Sequence, residues 1–595
     1  MKKILAMLLV LVMVLGMVAC GSSTASSSSS TSGSTGSTGS TGTEEDIPNA
    51  ADLISDAFID PVNGWAVYDA LIAEIKAETD YARRADLMHQ AEDILMANYA
   101  VIPIYYYNDV YLQKDYVSGI YSNPFATKFF MYTEMANGSD TLRLNLASEP
   151  DFLDPALNSS VDGACLAANS FSGLYTYNAD GVTEPACATG YEVSEDGLTY
   201  TVTLREGLKW SDGSDLTAAD FEYSWKRATD SRTAADYEYM FSGFDGYGTD
   251  EGINVTAIDD TTLQFVLSAP CAYIEDLMAF PTFYPVKQSS VESFEDWETN
   301  PGHWAQEAGF VSNGAYVLTA WNHDVSMTYE KNPYWYNADA VTVEKLEFML
   351  SADDTAIYAA YNDGSIDFAD AVPTDEIQSL LNNPEFHIVD ELGTYYAAFN
   401  VNSPLFEGKT PEQAAAMRMA LSMLIDRDYI CENIGQTGQV AANAYLPIGM
   451  ADGNGGFFKT DLTTGYYDPY AINNDYEGTL ERARELLRSA GYKFNEDGTL
   501  SAETPITLNY LTNPSSGHVK IAESIQADFA VLGITMTIEQ QDWNVFLEER
   551  KNGNYDFARE GWIADFNDAI NMLEMFTTTS GNNDPQYGRF EGWNA

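Results

Sequence analysis

The feature that most constrains the fold is a recurring succession of an apolar helical stripe, a glycine and a short alternating strand. Apolar residues recur at helical spacing between Ile521 and Leu532. Gly533 follows where a helix commonly ends, and residues 534–538 then alternate between apolar and polar types, as in a half-buried strand. Because helices and strands that alternate along a chain are typical of α/β architecture, we predict an α/β protein.

Helix starts in the sequence carry their own capping groups. Thr217 and Asp220 have the spacing of a capping box, in which a hydroxyl and a carboxylate satisfy free backbone N–H groups. Residues 410–413 form a second box, with proline at the first helical position. Residues 198–204 alternate as a half-buried strand, and residues 101–107 form a short apolar and aromatic strand. These signals place helix starts and strands within the predicted α/β pattern.

Composition excludes two broad classes of protein. The 595 residues carry a formal net charge of −60, which repels the phosphate backbone of nucleic acids. The hydrophobic fraction of 45% is too high for an acidic disordered chain. Aromatic residues make up 13% of the chain, which is consistent with a surface or cleft that grips a ligand. We therefore expect a large folded protein that binds no nucleic acid, with much of its acidity on a solvated surface.

The first residues predict an exported, lipid-anchored protein. Lys2 and Lys3 precede an apolar run from Ile4 to Leu15, which is shorter than the roughly 20 residues that span a bilayer. Ala19 directly before Cys20 resembles a bacterial lipoprotein signal, cut before the cysteine that then carries the lipid. An ordinary signal peptide with a chance cysteine is the alternative. Residues 21–43 are almost wholly Ser, Gly and Thr, a flexible tether with a reach of about 25 Å.

The familiar signatures of catalysis and metal binding are missing from the sequence. None of the five histidines is followed by glutamate, and neither a GxSxG motif nor a phosphate-binding loop is found. The cysteines after Cys20 form no CxxC pair, and their disulfide pairing cannot be read from the sequence: Cys165, Cys187, Cys271 and Cys431. The sequence therefore favours a binding protein without metal or cofactor over an enzyme. A secreted hydrolase with a carboxylate pair stays open as the alternative of a different class.

Several long motifs resemble one known family. They are LREGLKWSDG at 204–213 with LTAADFEYSW at 216–225, SEP at 148–150 with LDP at 153–155, KNPYW at 331–335, ALS at 420–422 with IDR at 425–427, and FAREGWIAD at 557–565. On these motifs the chain is similar to the extracellular solute-binding proteins of ABC importers, family 5, the oligopeptide-binding proteins. The resemblance implies an α/β fold with two lobes and a hinge, of the periplasmic-binding-protein type (type II, the large form with three subdomains).

One departure from the family concerns the order of the chain. The segment that resembles Tyr68–Thr133 lies at the C-terminus of a family member, after the motif at 557–565, whereas here it lies near the N-terminus. The chain restarts at Leu142 where a family member would begin, and a turn-like joint lies near residues 135–139. We interpret this order as a circular permutation, which the fold tolerates if the family's two ends lie close together. A fusion of gene fragments, or a rearranged product without function, is the alternative.

The resemblance also predicts how the chain is divided. The predicted segments are a lipoprotein signal peptide at 1–20, a tether and adaptor at 21–65, the permuted part of the second lobe at 66–106, part of the first lobe with the joint at 107–161, an additional subdomain of the first lobe at 162–284, the rest of the first lobe at 285–397, and the second lobe at 398–595.

Seven residues match positions that meet the peptide in this family. The motif implies that Asp565 pairs with the α-ammonium group of the peptide, because a buried ammonium needs a carboxylate close by. The other six would form pocket walls or meet the C-terminal carboxylate: Trp562, Trp543, Arg559, Arg550, Tyr237 and Glu149. Arginine suits the second role because its planar fork holds a carboxylate bidentately.

Each of these assignments has a structural alternative. Asp565 could be a turn or cap residue, Trp562 and Trp543 could be core, and Arg559 could form a salt bridge between lobes. Arg550 lies in the run EERK and could belong to a charged helix face. Tyr237 and Glu149 rest on the resemblance alone. Tyr105–Tyr107 could contribute one cleft aromatic, although a core strand is the commoner reading.

The function implied is that of a receptor on the outer face of the cytoplasmic membrane. It would hold short peptides between two lobes by main-chain hydrogen bonds, close over them, and present them to the permease subunits of an ABC transporter. We expect a monomer anchored through Cys20. Relatives of similar sequence bind dipeptides, nickel chelates or sugars, so another small solute is the runner-up within this class.

Overall fold

The computed structural model describes residues 47–146, 149–460, 462 and 476–590. The predicted signal peptide, Cys20 and the Ser/Gly/Thr tether lie outside the described residues. None of the described helices has the length and apolar character needed to cross a membrane.

The described helices and strands alternate along most of the chain. The α-helices are α1 Ala66–Ala77, α2 Tyr81–Ala97, α3 Val161–Ser170, α4 Ala218–Ala228, α5 Ile274–Ala279, α6 Gln288–Val291, α7 Asp354–Asp363, α8 Ile377–Leu380, α9 Pro411–Leu424, α10 Arg427–Tyr429, α11 Tyr476–Ser489, α12 Ser516–Ala530, α13 Trp543–Lys551 and α14 Ile570–Glu574. The strands are β1 Val101–Gln113, β2 Val117–Ser118, β3 Tyr121–Ser122, β4 Lys128–Phe129, β5 Glu134–Met135, β6 Thr141–Asn145, β7 Tyr175–Tyr177, β8 Thr183–Pro185, β9 Ala188–Val193, β10 Thr199–Leu204, β11 Val255–Asp259, β12 Thr262–Val266, β13 Tyr316–Asn322, β14 Ser326–Lys331, β15 Lys345–Met349, β16 Phe368–Ala369, β17 Phe386–Phe399, β18 Val440–Ala441, β19 Thr507–Thr512, β20 Thr535–Gln540 and β21 Phe557–Ile563.

One mixed sheet of eleven strands organises the described chain. Its order is β13-β14-β15-β6-β16-β1-β17-β21-β19-β20, with β18 beside β1. The pairs of β6 with β15 and β16 are parallel, as are those of β19 with β20 and β21. Both ends of the sheet therefore combine parallel strands with helices in the connections, as the sequence predicts for an α/β protein.

Two long neighbouring strands, β1 and β17, join the two ends of this sheet. Residues 101–106 of β1 pair with the end of β17 that β21 also pairs with, and residues 108–112 pair with its beginning. Between these stretches the register shifts, so that Tyr107 alone lies opposite residues 391–393. We call the described residues of 107–390 the first lobe and those of 47–106 and 391–590 the second lobe. The irregular crossing of β1 and β17 is thus where the chain passes between them.

A second sheet lies within the first lobe. It has the antiparallel order β11-β12-β10-β9, and α4 packs against it. Trp225 of α4 is fully buried and donates from its indole N–H to the carbonyl of Phe283 at 2.8 Å. This small sheet and its helix lie inside the segment 162–284 that the sequence assigns to an additional subdomain.

The local sequence signals are confirmed where the structure describes them. Capping boxes are present at Thr217 and at Thr410, the latter with proline at the first helical position. Gly533 and Gly491 follow α12 and α11 with φ of +77° and +91°, a left-handed conformation that glycine adopts without steric cost. The strand predicted at 101–107 is present but continues to Gln113.

The N-terminal part of the described chain is packed into the second lobe. Trp65, in the segment predicted to be an adaptor, is fully buried and stacks on Tyr587 with ring centroids 4.0 Å apart. The hydroxyl of Tyr68 donates to the carbonyl of Leu573 at 2.9 Å. Arg84 is held bidentately by Asp568, with both N–O distances at 2.8 Å. Residues at the two ends of the described chain therefore share one core.

The joint between the N-terminal segment and the first lobe is a turn. Gly138 has a φ of +80° and donates to the carbonyl of Met135 at 2.9 Å. β5 and β6 lie on either side of this turn. The four cysteines of the described chain are free thiols.

Candidate ligand-binding site

A cavity of about 800 Å³ lies between the two lobes. The first lobe contributes residues around Lys128, Asp162 and Phe280 to its wall, and the second lobe contributes α13 and the end of β21. All seven residues that the sequence analysis assigns to peptide binding line this one cavity: Glu149, Tyr237, Trp543, Arg550, Arg559, Trp562 and Asp565. The volume is in the range of ordinary small-ligand sites.

Asp565 lies just beyond the C-terminal end of β21, in the turn that leads to α14. Asn571 fixes this turn from both sides: its amide donates to Asp565 Oδ2 at 3.0 Å, and its carbonyl oxygen accepts from the backbone N–H of Asp565 at 3.0 Å. The hydroxyl of Tyr237, from the first lobe, donates to Asp565 Oδ1 at 3.2 Å. The carboxylate is therefore held in place by neutral groups from both lobes.

No cation of the described chain pairs with Asp565. The pKa of its carboxyl is raised to about 7, because burial in the cavity outweighs the lowering by the hydrogen bonds from Asn571 and Tyr237. An uncompensated carboxyl group in a closed cleft is costly to ionise, and a cation brought by a ligand would relieve that cost. Asp565 is thus not the cap of α14, which is Ala569, but it does lie in the turn before that helix, so the alternative of a turn aspartate stays open.

Aromatic side chains wall the cavity around Asp565. Trp562 is half-buried, and its indole N–H donates to Asn571 Oδ1 at 3.1 Å, so the same amide orients both Trp562 and Asp565. Tyr237 lies across from it with ring centroids 6.2 Å apart. The edge of Tyr237 also meets Phe280, with centroids 5.1 Å apart. Trp562 and Tyr237 therefore face the cavity from opposite lobes.

Arg559 lies within β21 and, like Asp565, forms no ion pair with a described residue, although the neighbouring Glu560 acts on its charge. Its guanidinium lies 5.6 Å from the ring centroid of Tyr395 and 5.8 Å from that of Trp543. Its Nε is buried without a hydrogen-bond partner, and no carboxylate of the described residues forms an ion pair with it. Arg559 therefore forms no salt bridge between the lobes in the described structure.

Arg550 and Glu149 line the same cavity but already have partners. Arg550 of α13 is buried and pairs with Glu560 at 2.5 Å and with Asp584 at 3.3 Å. Its charge is thus neutralised within the second lobe, and it does not lie on an exposed helix face. Glu149 accepts hydrogen bonds from the backbone N–H of Asp324 at 2.8 Å and faces His323 Nδ1 at 2.6 Å.

Several residues of the site carry no signal in a single sequence. Tyr107 lines the cavity from the crossing of β1 and β17, and a Cβ atom on Gly561 would lie only 2.1 Å from its hydroxyl oxygen. His518 stacks near Tyr395, and burial together with the charge of Arg559 holds the pKa of His518 below its ordinary value. Asn571 orients two site residues from six and nine positions along the chain. Of these residues, the sequence had suggested only a tyrosine within 105–107.

One edge of β21 is open where the strand borders the cavity. On one side β21 pairs with β17 along its whole length, from residue 557 to residue 563. On the other side β19 pairs only with Phe557 and Ala558. From Arg559 to Ile563 the described chain supplies no second strand, and these residues line the cavity. This stretch of β21 without a second neighbouring strand therefore leads from Arg559 toward Asp565, neither of which forms an ion pair with a described residue.

Comparison with known proteins agrees with this geometry. The family model for bacterial extracellular solute-binding proteins, family 5 Middle, matches residues 182–584. The chain is 32% identical over 465 residues to the oligopeptide-binding protein OppA of Bacillus subtilis, a match that covers 75% of this chain and 79% of that protein.

The chain belongs to this family.

Solved structures show the same fold. The murein tripeptide binding protein MppA of Escherichia coli matches with a TM-score of 0.65 and 28% identity, over 75% of this chain and 84% of that one. The OppA of Listeria monocytogenes bound to peptide matches with a TM-score of 0.66 and 26% identity, over 76% and 86%. The predicted two-lobed α/β fold of periplasmic binding proteins is thus confirmed. The protein is a solute-binding protein of the ABC-importer type, and its relatives are binding proteins rather than enzymes.

Proposed function

We propose that this solute-binding protein captures short peptides in the cavity between its lobes and delivers them to the permease of an ABC importer. The observation that carries the proposal is the uncompensated carboxyl of Asp565, held by Asn571 and Tyr237 at the end of β21. A free peptide has one α-ammonium group, which is the counter-charge that this carboxyl lacks. Relatives named for oligopeptide, dipeptide and murein peptide binding agree with this choice of ligand.

The same strand offers partners for the rest of a peptide. Arg559 has no carboxylate partner in the described chain, so it is the better candidate for the peptide's C-terminal carboxylate than Arg550, which already pairs with Glu560 and Asp584. The open edge of β21 between Arg559 and Asp565 can receive an extended peptide by β-augmentation. Main-chain hydrogen bonds do not depend on side chains, so this arrangement accepts varied peptides.

Closure around the peptide follows from where the contacts lie. Tyr237 of the first lobe reaches Asp565 of the second, and Lys551 of the second lobe contacts Asp236 and Ser159 of the first. A peptide on Asp565 would touch both lobes only when they are closed, so its binding energy favours the closed state. The irregular crossing of β1 and β17 is the natural hinge, because only these neighbouring strands carry the described main chain between the lobes.

Calorimetry with trialanine, N-acetyl-trialanine and trialanine amide tests the proposal. We expect the free peptide to bind with one-to-one stoichiometry and both blocked forms to bind more weakly, because each lacks one terminal charge. Equal binding of the free and the N-acetylated peptide would remove Asp565 from the ammonium site. Mass spectrometry of material released from the purified protein supplies a second test, in which a nickel chelate or a sugar instead of peptides would overturn the ligand class.

We also propose that the protein is a monomer anchored to the outer face of the membrane through a lipid on Cys20. The support is the apolar run that ends at Ala19-Cys20 and the Ser/Gly/Thr tether behind it. Labelled palmitate should enter the wild-type protein and be absent from Cys20→Ser, which should be released from the membrane fraction. Label in both proteins would place the lipid on a residue other than Cys20. Label in neither protein would reject the lipid anchor.

The order of the chain is proposed to be a circular permutation within one fold. About a fifth of OppA lies outside its match to this chain, since 79% of it is covered. The segment from Trp65 to Arg84 packs on residues 568–587, as a family's C-terminal segment would. A rearranged chain with residues 47–135 joined behind residue 590 by a short linker should retain the near-UV circular dichroism and the peptide affinity of the natural order. A fusion of fragments from two neighbouring genes, or a faulty gene model, whose halves do not join in one globule, predicts that the rearranged chain has neither.

A further inference from the structure

A group of acidic side chains lines the cavity apart from Asp565. We call it the acidic cluster; its members come from four separate elements and surround one lysine, Lys128 of β4. They are Asp109 of β1, Asp162 in the first turn of α3, Asp370 directly after β16, and Glu391 of β17. All four side chains and Lys128 border the cavity.

Lys128 neutralises only part of this charge. Its ammonium group is nearly inaccessible, with the side chain 4% exposed, and it pairs with Asp109 at 2.7 Å and Asp370 at 2.8 Å. Asp162 and Glu391 form no ion pair with any described residue. Four carboxyl groups therefore share one ammonium, and the next cation in the surroundings, Arg559, acts on Asp162 only at longer range.

Glu391 is the member that points to a missing partner. The residue is 8% exposed, and its Oε1 atom is buried with no hydrogen-bond partner. It lies in the stretch 391–393 where β17 loses its register with β1, and it lines the cavity. A buried carboxyl oxygen without a partner costs free energy, which a ligand group that donates to it would recover.

The electrostatics of the acidic cluster agree with a shortage of positive charge. The pKa of Asp162 is raised to about 7, by burial first and then by the neighbouring Asp370 and Asp151, against the opposing effects of Lys128 and Arg559. Burial first, and then Asp109 and Asp370, raise the pKa of Glu391 above its ordinary value. These carboxyls are thus poised to bind a cation, whose arrival favours their ionised form.

We propose that the acidic cluster is a selective pocket for a lysine or arginine side chain of the bound peptide. This proposal rests on the proposed peptide-binding function and adds a preferred ligand class to it. The terminal ammonium or guanidinium would donate to Glu391 and Asp162, the two carboxyls that Lys128 leaves without an ion pair. Main-chain binding at β21 sets no such preference, so the acidic cluster would supply selectivity where the strand supplies general affinity.

An organic cation fits the acidic cluster better than a metal ion does. Among the described residues, no group of His, Cys, Asp and Glu side chains has the arrangement needed to hold a metal ion. Lys128 also lies between Asp109 and Asp370, where it would repel a divalent ion. A long flexible side chain that enters from the cavity can bring one positive charge to the two remaining carboxyls without displacing Lys128.

A positional peptide series tests the inference. Trialanine and tetra-alanine are made with lysine at each position in turn, and with norleucine, which has a similar chain without the ammonium group. Calorimetry at pH 8, where the acidic cluster is more ionised, compares each pair on the wild-type protein. We expect the lysine peptide to bind about tenfold tighter than its norleucine partner at one position. If the lysine peptide binds no tighter than its norleucine partner at any position, the inference is overturned.

Two variants and a matched control locate the effect. Glu391→Gln and Asp162→Asn keep the side-chain volume and should each reduce the advantage of lysine over norleucine to about twofold or less. Asp542→Asn removes an exposed acid that also lines the cavity and should leave the advantage unchanged. Near-UV circular dichroism confirms that each variant is folded, and an unchanged advantage in both cluster variants would also reject the inference. Failure of every neutral peptide to bind the wild type would instead reject the proposed function itself.

Discussion

The pH dependence of peptide affinity is the sharpest consequence of an uncompensated Asp565. In the ligand-free protein burial raises the pKa of this carboxyl to about 7, although Asn571 and Tyr237 donate hydrogen bonds to it. The negative charge of Glu574, which pairs with Lys76, adds to this rise. A peptide ammonium favours the ionised carboxylate, so binding should lower the pKa of Asp565 and expel its proton.

The size of the effect follows from the linkage between proton and peptide. Below a pKa of about 7, each pH unit makes ionisation of the free carboxyl about 1.4 kcal/mol more costly, which is about tenfold in affinity. Affinity at pH 5 should therefore be about 50-fold weaker than at pH 8, where about half of the free peptide has lost its α-ammonium proton, as long as the bound carboxylate stays ionised. At pH 7 about half a proton should be released for each peptide bound.

Calorimetry in two buffers of different ionisation enthalpy measures both quantities. Trialanine should show the pH dependence of affinity and the proton release on the wild-type protein. It should show both on Asp542→Asn as well, because this control changes an exposed acid of the same cavity. N-acetyl-trialanine on wild type, and trialanine on Asp565→Asn, should show neither. The reasoning is refuted if trialanine binds Asp565→Asn with the wild-type pH slope, because the slope would then come from another group.

Three further predictions concern binding and stability. Arg559→Ala should weaken trialanine by about 30-fold or more and leave trialanine amide unchanged; equal loss for both peptides in calorimetry would reject a carboxylate contact. Gly561→Ala should lower peptide affinity, because the added Cβ would lie 2.1 Å from the hydroxyl of Tyr107. The double variant with Tyr107→Phe should recover part of the lost affinity. Unchanged affinity in Gly561→Ala would contradict the close approach of Tyr107 to the backbone of Gly561. Arg84→Met should lower the free energy of unfolding by about 3–5 kcal/mol in urea titrations, because it leaves the buried carboxylate of Asp568 without its counter-charge. Arg83→Met, at an exposed position, should change the free energy of unfolding little. Similar small losses in both variants would contradict the importance of the buried pair.

Local features of this fold are predictable from the sequence because their physical causes are local. The capping boxes at Thr217 and Thr410 depend on residues three positions apart, and both are present. Gly533 ends α12 because only glycine enters the left-handed conformation without steric cost. The length of β1 was not predicted, because its second half is stabilised by pairing with the start of β17, almost 280 residues later in the chain.

In the candidate site, too, the features that depend on one local stretch could be predicted, and those that depend on distant residues could not. The motif at 557–565 places Arg559, Trp562 and Asp565 in one cavity because a single strand and its following turn carry all three. The sequence did not reveal that Arg550 is neutralised, since Asp584 lies 34 positions away and meets it only through the folded second lobe. The acidic cluster was missed for the same reason, because its residues come from four elements.

Trp65 packs against Phe576 and Tyr587, which the ribosome makes long after it. At about 5–20 residues per second, roughly 25 to 105 seconds of synthesis separates them. During that interval α1 and α2 can pack on each other but not on α14, so part of their apolar surface stays uncovered until that helix has been made. The second lobe therefore completes this part of its core only after Phe576, which lies 511 positions after Trp65, has been made.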